Sequence, residues 1–463
     1  MSRNKKRAPS EKISRFIRVK IEDLNESGDG VAFYQKKKLT IKKTLPGEEV
    51  LVTYNPDRPR KARIELKRIL VTAPDRVTPP CPYFEDCGGC HLQHLNYSRQ
   101  LTFKQQVIQR QLLAYPELKS IHVAPVVGMP EPKHYRNKTQ MPFQRMGEAI
   151  HYGLYRRGTH ELIPMDFCLV ESKDANRALQ IVRDWARQYQ IEPYDEIEHS
   201  GILRHVMVRK GQFTNQVMVV LVTTTREVPH WKFLVEALKQ GLSTLRSVIL
   251  NINNRRTNVI LGEENLVMWG DPFIEEQLGR IRYRIYPETF FQTNSVQTVK
   301  LLETLVREAK PGKTDQVLEL YGGTGTIGLY LASRVKQVVG MDINQKAIQA
   351  ANQNASDNQI ANATYYPADA SEDFLNQLPD GFHPSIIIVD PPRKGLSQRT
   401  IDEMVRLSPQ KIVYISCNPR TLIRDLADFY RYGYRAQTIF PFDMFPQTAH
   451  VESLVILEKQ PEQ

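Results

Sequence analysis

Cysteine and tryptophan are scarce in this chain, and long apolar runs are missing. Its 463 residues include 5 cysteines and 3 tryptophans, and an odd cysteine count in a chain of this length does not suggest a disulfide framework. No apolar run reaches the roughly 18 residues that a membrane-spanning helix needs. The basic start, MSRNKKRAPSEK, has neither an apolar core after it nor a cleavage signature. We therefore expect a cytoplasmic protein that neither spans nor contacts a membrane.

The composition indicates a folded protein with a basic partner-binding region. Hydrophobic residues make up 41% and charged residues 25% of the chain, and 463 residues exceed one ordinary core, so two or three domains are expected. The net charge is +12, and the first 80 residues contain 20 basic and 10 acidic side chains. Because this excess continues through a segment with strand-like patterning, it favours nucleic acid as the partner over a tail that only aids solubility.

Three regions with different patterns follow one another. Residues 12–70 predict short strands with turns between them, as in a small β-barrel whose basic face follows a phosphate backbone. Residues 74–95 are rich in Pro, Gly and Cys and exclude a regular element, and Leu101–Leu113 predicts an amphipathic helix. From about residue 276, apolar strands alternate with helices such as SVQTVKLLETLVREA, which predicts a doubly wound α/β sheet. The expected domains are 10–70, 71–275 and 276–463.

A glycine-rich turn joins the first strand of the α/β region to a helix. In LELYGGTGTIGLYLA, Gly323, Gly325 and Gly328 satisfy G-x-G-x-x-G, which permits a tight turn and close approach of a ligand. Asp342 ends the next strand, 19 residues after Gly323, where a carboxylate can accept hydrogen bonds from both ribose hydroxyls. These two features do not distinguish a dinucleotide from S-adenosylmethionine.

The fourth strand distinguishes these cofactors. IIIVDPPRKGL places Asp390 at the carboxyl end of a buried strand, and two prolines then hold an extended turn over the pocket. Asp-Pro-Pro at this position is frequent in S-adenosylmethionine-dependent methyltransferases and is not a feature of dehydrogenases. We therefore predict methyl transfer.

Four cysteines form a candidate metal site. Cys81, Cys87 and Cys90 lie in CPYFEDCGGC with the spacing C-x5-C-x2-C, and Cys168 follows in MDFCLV. Three thiolates from one loop and a distant fourth can bind zinc or a 4Fe-4S cluster. The spacing is not the C-x3-C-x2-C of radical chemistry, so a redox-active catalyst is not indicated.

The fifth cysteine stands apart in VYISCNPRTL. Cys417 follows a buried strand and precedes an Asn-Pro turn, at the edge where such sheets hold ligands. The alternative is a buried core thiol, since cysteine is among the most buried residue types. Its position favours catalysis, which requires a thiolate, and Arg420 is a candidate, by proximity in sequence, for the positive charge that favours the thiolate.

Taken together, the motifs resemble the bacterial RNA (uracil-5-)-methyltransferases that modify 23S ribosomal RNA. The matching segments span most of the chain: CPYFEDCGGCHLQHL with Cys168, FFQTN, LYGGTGTIGL, VDPPRKG, YISCNPRTL and HVESL. The resemblance implies an N-terminal TRAM domain, a 4Fe-4S cluster on the four cysteines, and S-adenosylmethionine as the methyl donor. It also implies that the helix near 101–113 can pack on the catalytic domain. Relatives often have Glu where this chain has Asp342, and the shorter carboxylate can make the same hydrogen bonds.

The resemblance further assigns roles to single residues. Cys417 would add to uracil carbon 6, and Glu452 would remove the carbon-5 proton. The residues implied to line the cofactor or active site are Gln292, Tyr321, Thr326, Asp342, Asp369 and Asp390. The tRNA-specific branch commonly lacks the TRAM domain and the cluster, so 23S ribosomal RNA is the expected substrate and transfer RNA the alternative. We expect a monomer.

Two other functions stay open. An amino-methyltransferase could use Asp-Pro-Pro-Arg to orient an exocyclic nitrogen, and it would need no nucleophilic thiol. A non-catalytic RNA-binding or assembly factor could have kept the fold, although Cys417, Glu452 and Asp390 together argue against it. Three aromatic residues could stack on an extruded base or belong to the core: Phe290, Phe291 and Phe445.

Overall fold

A computed structural model describes residues 15–54, 64–372 and 374–461 of the chain. The basic segment 1–12 and parts of the predicted N-terminal strand region, 12–14 and 55–63, lie outside the described residues. The chain divides into two compact units. The first unit contains the described residues up to Pro80 together with Cys90–Gln100 and Gln447–Ala449. The second unit contains Cys81–Gly89, Leu101–Pro446 and the described residues from His450 onward.

The first unit contains two small antiparallel sheets. Their strands are β1 (Arg15–Lys20), β2 (Asp23–Leu24), β3 (Gly30–Tyr34), β4 (Lys37–Ile41), β5 (Glu49–Tyr54) and β6 (Glu65–Val71). One sheet has the order β1-β5-β6 and the other β2-β3-β4. Alternation along β1 buries Ile17 and Val19, which share a core with Leu39 and Ile41 of β4. The predicted N-terminal β region is therefore present.

Helix α1 (Tyr97–Leu112) follows, and it begins four residues before the predicted helix. The reason is a cap: the Asn96 side chain accepts a hydrogen bond from Arg99 N at 3.0 Å, so the helix starts at a polar signal and not at its first apolar residue. A short 3-10 turn (Pro116–Leu118) and strand β7 (His122–Val123) come next.

A seven-stranded mixed sheet occupies the middle of the second unit. The elements are β8 (Lys138–Met146), β9 (Ala149–Tyr155), β10 (Leu162–Pro164), α2 (Lys173–Gln188), β11 (Leu203–Lys210), β12 (Val217–Thr223), α3 (Trp231–Gly241), β13 (Leu245–Ile252), β14 (Glu264–Gly270), β15 (Ile274–Leu278) and β16 (Ile281–Ile285). The sheet order is β10-β9-β8-β11-β12-β13-β14, and β15 pairs with β16 as a hairpin. Strand β12 is buried at every residue because both faces of the sheet are covered.

The C-terminal part is a doubly wound α/β sheet. Its elements are α4 (Ser295–Ala309), β17 (Gln316–Leu320), α5 (Thr326–Ala332), β18 (Gln337–Asp342), α6 (Gln345–Asp357), β19 (Ala363–Pro367), a 3-10 turn (Leu375–Gln377), β20 (Ile386–Val389), α7 (Gln398–Arg406), β21 (Lys411–Ser416), α8 (Pro419–Arg431), β22 (Tyr434–Phe442) and β23 (Glu452–Lys459). The sheet order is β19-β18-β17-β20-β21-β23-β22-β7. Strands β17 to β21 are parallel, and β23 runs antiparallel to both β21 and β22. The predicted alternation of strands and helices is confirmed.

Two elements far away in sequence contribute to this part of the fold, one to the sheet and one to its core. Strand β7 pairs with β22 at its edge, and Ile108 and Leu112 of α1 belong to the same hydrophobic core as Leu320 and Val389. None of the helices in the described ranges combines the length and the apolar character of a membrane span.

Candidate active site

The strand order reverses beside β17, which lies between β18 and β20. In open α/β sheets, ligands bind in the crevice beyond the carboxyl ends of the strands at such a point. The loop after β17 carries Tyr321 and the glycine-rich turn, and Asp390 and Cys417 directly follow β20 and β21. The sheet order therefore brings several of the predicted residues to one edge.

Two carboxylates accept hydrogen bonds from backbone N–H groups of the glycine-rich turn. Gly323 N donates to Asp342 Oδ2 at 2.9 Å, and Gly328 N donates to Glu319 Oε2 at 3.0 Å. Gly323 and Gly325 have φ angles of +54° and +77°, in the left-handed region that favours glycine. A Cβ on Gly323 would meet no atom within 4 Å, whereas one on Gly328 would lie 2.4 Å from Glu319 Oε2. The turn is thus packed on the sheet at one end and open beside Asp342.

Glu319 is a functional candidate that the sequence analysis missed. It is buried under the turn, where the Tyr365 hydroxyl donates to Oε2 at 3.2 Å. Burial raises the pKa of Glu319 to about 8, against the opposing effect of these hydrogen bonds. A charged residue inside the otherwise apolar part of strand QVLEL was the available signal.

The end of β18 offers a carboxylate beside an apolar surface. Asp342 Oδ1 accepts from Asn344 N at 2.8 Å, and the neighbouring Ile343 is 70% exposed. Sequence reasoning missed Ile343, because only the tertiary structure shows its exposure. Asp369 follows β19 and accepts from Ser371 Oγ and N at 2.7 and 2.8 Å, which lowers the pKa of Asp369.

Gln292 is joined directly to Asp390. Gln292 lies between β16 and α4, and its Nε2 donates to Asp390 Oδ2 at 2.9 Å. Of the aromatic residues before it, Phe291 is buried in the core, whereas Phe290 is 59% exposed. The sheet therefore links the FFQTN segment to the Asp-Pro-Pro loop.

Tyr321 and Thr326 belong to the glycine-rich turn itself. Tyr321 is half-buried with a φ angle of +61°, and burial raises the pKa of its phenol. The Thr326 carbonyl accepts from the Tyr283 hydroxyl at 2.9 Å, and the Thr326 hydroxyl lies 3.3 Å from that of Thr324. These two contacts of Thr326 hold the glycine-rich turn in place.

Cys417 and Glu452 face each other on neighbouring strands. The last paired residues of β21 and β23 are Ser416 and Ser453, and extending this antiparallel register by one residue pairs Cys417 with Glu452. Glu452 is buried and Cys417 is half-buried. Among the described residues, Glu452 Oε1 has no hydrogen-bond partner. A buried carboxylate oxygen without a partner, next to a thiol, is a candidate proton acceptor.

Burial raises the pKa values of three acidic groups at this edge, and the charge of Asp390 raises two of them further. Burial, then the charges of Glu452 and Asp390, raise the pKa of the Cys417 thiol to about 11. Burial, and secondly Asp390, raise the pKa of Glu452 well above its ordinary value. Burial raises the pKa of Asp390 to about 7, and the hydrogen bond from Gln292 opposes this shift. At neutral pH the Cys417 thiol therefore holds its proton.

The cation beside the thiol is Arg393, and the expectation of Arg420 is wrong. The Arg393 guanidinium is hydrogen-bonded to Cys417, and its charge lowers the pKa of both Cys417 and Glu452. The Arg393 carbonyl accepts from Asn418 Nδ2 at 2.8 Å, which ties the two loops together. Arg420 is not among the groups that shift the pKa of Cys417, because it belongs to the first turn of α8 beyond the Asn418 cap. Arg393 is part of the Asp-Pro-Pro-Arg motif, so the sequence already placed a cation directly after the site residue Asp390 and its two prolines.

The four other cysteines do not form a visible ligand group. Cys81, Cys87 and Cys90 are half-buried, and Cys168 is buried with its N–H donating to Asn176 Oδ1 at 2.7 Å. Within the described ranges, no group of three or more His, Cys, Asp or Glu side chains is arranged to hold a metal ion. The geometry gives no support to the predicted four-sulfur site.

The chain is similar to known RNA-modifying enzymes. The family model of tRNA (uracil-5-)-methyltransferases matches residues 96–460. An uncharacterized RNA methyltransferase of Halalkalibacterium halodurans is 37% identical over 455 residues, 98% of this chain and 99% of the relative. Another, of Clostridium acetobutylicum, is 35% identical over 443 residues, 95% of this chain and 96% of the relative.

A solved structure extends this similarity. The Pyrococcus abyssi tRNA (uracil-54, C5)-methyltransferase in complex with S-adenosyl-L-homocysteine superposes with a TM-score of 0.75 at 31% identity, covering 95% of this chain and 99% of that chain. The C-terminal sheet accordingly has the α/β fold of S-adenosylmethionine-dependent methyltransferases. By its sequence and its fold, the chain belongs to the tRNA (uracil-5-)-methyltransferase family.

Proposed function

We propose that this protein transfers a methyl group from S-adenosylmethionine to carbon 5 of a uridine in RNA. The observation that carries the proposal is the placement of Cys417 opposite Glu452, beside Asp390 and Arg393. A methyltransferase that alkylates an exocyclic nitrogen needs neither the thiol nor a base across from it. Carbon 5 of uracil needs both, because it is a poor nucleophile until a thiolate has added to carbon 6.

The edge around Gly323 fits the proposed methyl donor. The open turn at Gly323 would accept its amino-acid part, and the remaining lone pairs of Asp342 would accept hydrogen bonds from the ribose hydroxyls. Ile343 would contact the adenine ring, with Tyr321, Thr326 and Asp369 lining the same side. Gln292 and Asp390 would hold the end nearest Cys417. When bound, this donor supplies a methyl group activated by a positively charged sulfur.

Cys417 would open the reaction. The half-buried Cys417 thiol gives its proton to solvent water, and Arg393 stabilises the resulting thiolate through its charge and its hydrogen bond. The sulfur then forms a bond to carbon 6 of uracil, and the electrons of the carbon 5–carbon 6 double bond move toward carbon 5 and the adjacent carbonyl. Carbon 5 thereby becomes nucleophilic and can take the methyl group.

Glu452 would close the reaction. The methylated carbon 5 still carries its proton, which the ionised Glu452 carboxylate removes. The carbon 5–carbon 6 double bond then re-forms and expels the Cys417 thiolate. Because Glu452 Oε1 has no hydrogen-bond partner among the described residues, this oxygen is available to the proton.

We further propose 23S ribosomal RNA as the substrate, with transfer RNA as the alternative. The resemblance and the basic N-terminal region support ribosomal RNA. The expectation that tRNA-specific relatives lack the N-terminal β region does not hold for every relative. The Pyrococcus abyssi tRNA enzyme covers 95% of this chain, and the uncovered 5% of 463 residues is roughly 23 residues, so that enzyme also extends into the N-terminal β region. The presence of this region therefore does not separate the two RNAs.

The domain assignments stay part of this proposal. Residues 10–70 would be a TRAM domain, 71–275 a central domain, and 276–463 the catalytic domain. The first region exposes Phe16 and Phe33 by 67% and 51%, and basic residues flank both in the sequence, as in RFIR and FYQKKK. Exposed aromatic rings with basic neighbours suit stacking on bases beside a phosphate backbone.

The 4Fe-4S cluster is proposed on donor chemistry alone. Cys81, Cys87, Cys90 and Cys168 are suitable ligands by residue type, but the described residues show no metal-holding group, so no step of the reaction is assigned to a cluster. Iron and sulfide content, with broad visible absorbance after anaerobic purification, tests the proposal. A colourless protein with stoichiometric zinc contradicts it.

The methylation proposal is tested with two variants and nucleoside mass spectrometry. Cys417→Ala should abolish both methyl transfer and any covalent protein–RNA adduct, whereas Glu452→Gln should accumulate an adduct that survives SDS. The product should be 5-methyluridine, mapped in ribosomal and transfer RNA with and without the gene. Full activity of Cys417→Ala, or an N-methylated product, would overturn the mechanism. Protein that binds RNA but not the methyl donor would indicate an assembly factor.

A further inference from the structure

The loop between β22 and β23, residues 443–451, ends at the proposed base. Phe442 and Glu452 are the paired residues at the loop end of the two strands. The path of the loop therefore influences the backbone position of Glu452. Loops normally run over the surface, yet Asp443, Met444 and Val451 are almost completely buried. The buried polar groups of this loop therefore need hydrogen-bond partners on other parts of the chain.

Gln100 holds the middle of the loop through its amide group. Its Oε1 accepts from Gln447 N at 3.2 Å, and its Nε2 donates to Gln447 Oε1 at 3.0 Å. The same Nε2 lies 3.0 and 2.8 Å from the carbonyl oxygens of Leu92 and Leu95. Gln100 is 1% exposed, so water cannot replace these bonds.

The backbone at the anchored residue is strained. Gln447 has a φ angle of +70°, in the left-handed region that non-glycine residues rarely adopt. Its carbonyl accepts from the N–H groups of both His91 and Leu92, at 2.9 and 3.0 Å. Such a conformation persists only where the surroundings enforce it, and it is concentrated at functional sites.

Lys104 holds the start of the loop. Its Nζ donates to the Asp443 carboxylate and, at 3.1 Å, to the Phe445 carbonyl. Both members of this ion pair are fully buried. Gln100 and Lys104 are four residues apart in α1, which places them on one face of the helix. Two buried polar side chains of α1 are thus committed to the loop that leads into Glu452.

We propose that Gln100 and Lys104 are positioning residues for proton removal at carbon 5, acting through the loop 443–451. This inference rests on the proposed function, in which Cys417 forms the adduct and Glu452 resolves it. Cys417 and Arg393 follow strands β21 and β20 and do not depend on this loop. Loosening the loop therefore slows proton removal while thiol addition and methyl transfer continue. The methylated adduct then accumulates.

The test uses full-length protein with in vitro transcribed RNA, of whichever class the protein methylates, and S-adenosylmethionine. The variants are Gln100→Leu and the double variant Lys104→Met with Asp443→Leu. The double variant replaces a buried ion pair by apolar side chains, so that no unpaired charge prevents folding. We expect kcat to fall about 10- to 100-fold, as small misplacements of catalytic groups do, while the fraction of protein in SDS-stable adduct rises several-fold.

Gln105→Leu is the matched control. Gln105 lies on the same helix, but its Nε2 donates to the Val123 and Ala124 carbonyls and not to the loop. It should lose stability without accumulating adduct. If adduct and kcat fall together in both test variants, or if neither changes, the positioning role is wrong. The proposed function fails separately, since in that case wild type forms no adduct that depends on Cys417.

Discussion

Two regions of the second unit bury charged groups in opposite ways. In the seven-stranded sheet, Arg209 donates to the carbonyls of Pro287 and Thr289, and Arg204 donates to three carbonyls, at residues 253, 255 and 257. At the carboxyl edge of the eight-stranded sheet, Asp390 instead raises the pKa of Glu452 and Cys417, and Glu452 raises that of Cys417 as well. Buried charges that bond to backbone hold loops in place, whereas buried groups that raise the pKa of their neighbours are available for proton transfer.

A raised pKa does not by itself separate the two regions. Burial raises the pKa of Glu171, beside the seven-stranded sheet, to about 7, against the effects of Arg136 and Thr139. Asp390 reaches the same value. Thr139 and Arg136 partner the carboxylate of Glu171, while Asp390 faces a thiol and a second carboxyl. The neighbouring groups, and not the pKa values, therefore distinguish Asp390, with its proposed role in the reaction, from Glu171, which holds the structure together.

The largest expected difference is between Asp390→Asn and Glu171→Gln. We expect Asp390→Asn to lower kcat/KM about 1,000-fold, because a charge near the reacting atoms is lost, and Glu171→Gln to leave it within about twofold. Each carboxyl has a folded-state pKa above its ordinary value, so its stabilising contribution is lost as the pH rises from about 4 to about 7. Both amides should therefore raise the melting temperature at pH 8 more than at pH 5. Equal losses of activity in the two variants would remove the distinction between the regions.

The next effect concerns the cation at the thiol. Arg393→Met should lower kcat/KM about 100-fold, because the thiolate and the ionised Glu452 both lose their positive neighbour. Arg420→Met is the control and should retain wild-type kinetics. Steady-state rates and the rate of adduct formation measure both. Equal impairment of the two variants would show that general RNA attraction, and not the thiol contact, accounts for the loss.

The pH profile of the wild-type protein gives a smaller, graded effect. Because the pKa of Cys417 is about 11 and that of Glu452 is raised, ionisation of both groups increases with pH. We expect kcat/KM to rise between pH 6 and 9, by about tenfold per pH unit where one ionisation is limiting. In Arg393→Met the rise should be displaced to higher pH. A flat wild-type profile would mean that thiolate formation does not limit the free enzyme.

The smallest effect compares two glycines with similar backbones. Gly323 and Gly147 have φ angles of +54° and +60°, and a Cβ on either would meet no atom within 4 Å. Substitution by Ala should cost each variant roughly 1 to 2 kcal/mol of stability through left-handed strain. Only Gly323→Ala should also raise the KM for S-adenosylmethionine, by several-fold, because its methyl group enters the open side of the turn. Thermal unfolding and initial rates check the two parts, and an unchanged KM would argue against a cofactor at this turn.

Local sequence was sufficient for much of the fold. The helix predicted at SVQTVKLLETLVREA is α4 residue for residue, because its apolar spacing is regular and Asn294 caps it, accepting from Gln297 N at 3.2 Å. Asp342 and Asp390 also lie at strand ends as predicted. By contrast, α1 begins at Tyr97, before the predicted start at Leu101, because the Asn96 side chain caps it.

By itself, then, the sequence determined the alternation of strands and helices, the turn at Gly323 and the family, since these depend on neighbours along the chain. The tertiary structure decided which distant groups meet. The β21–β23 register pairs Cys417 with Glu452, the Asp-Pro-Pro loop brings Arg393 to the thiol in place of Arg420, and α1 reaches the loop 443–451. Periodicity fixes which face of an element is buried, but strand order and register, on which these contacts depend, are set by packing between residues far apart in sequence.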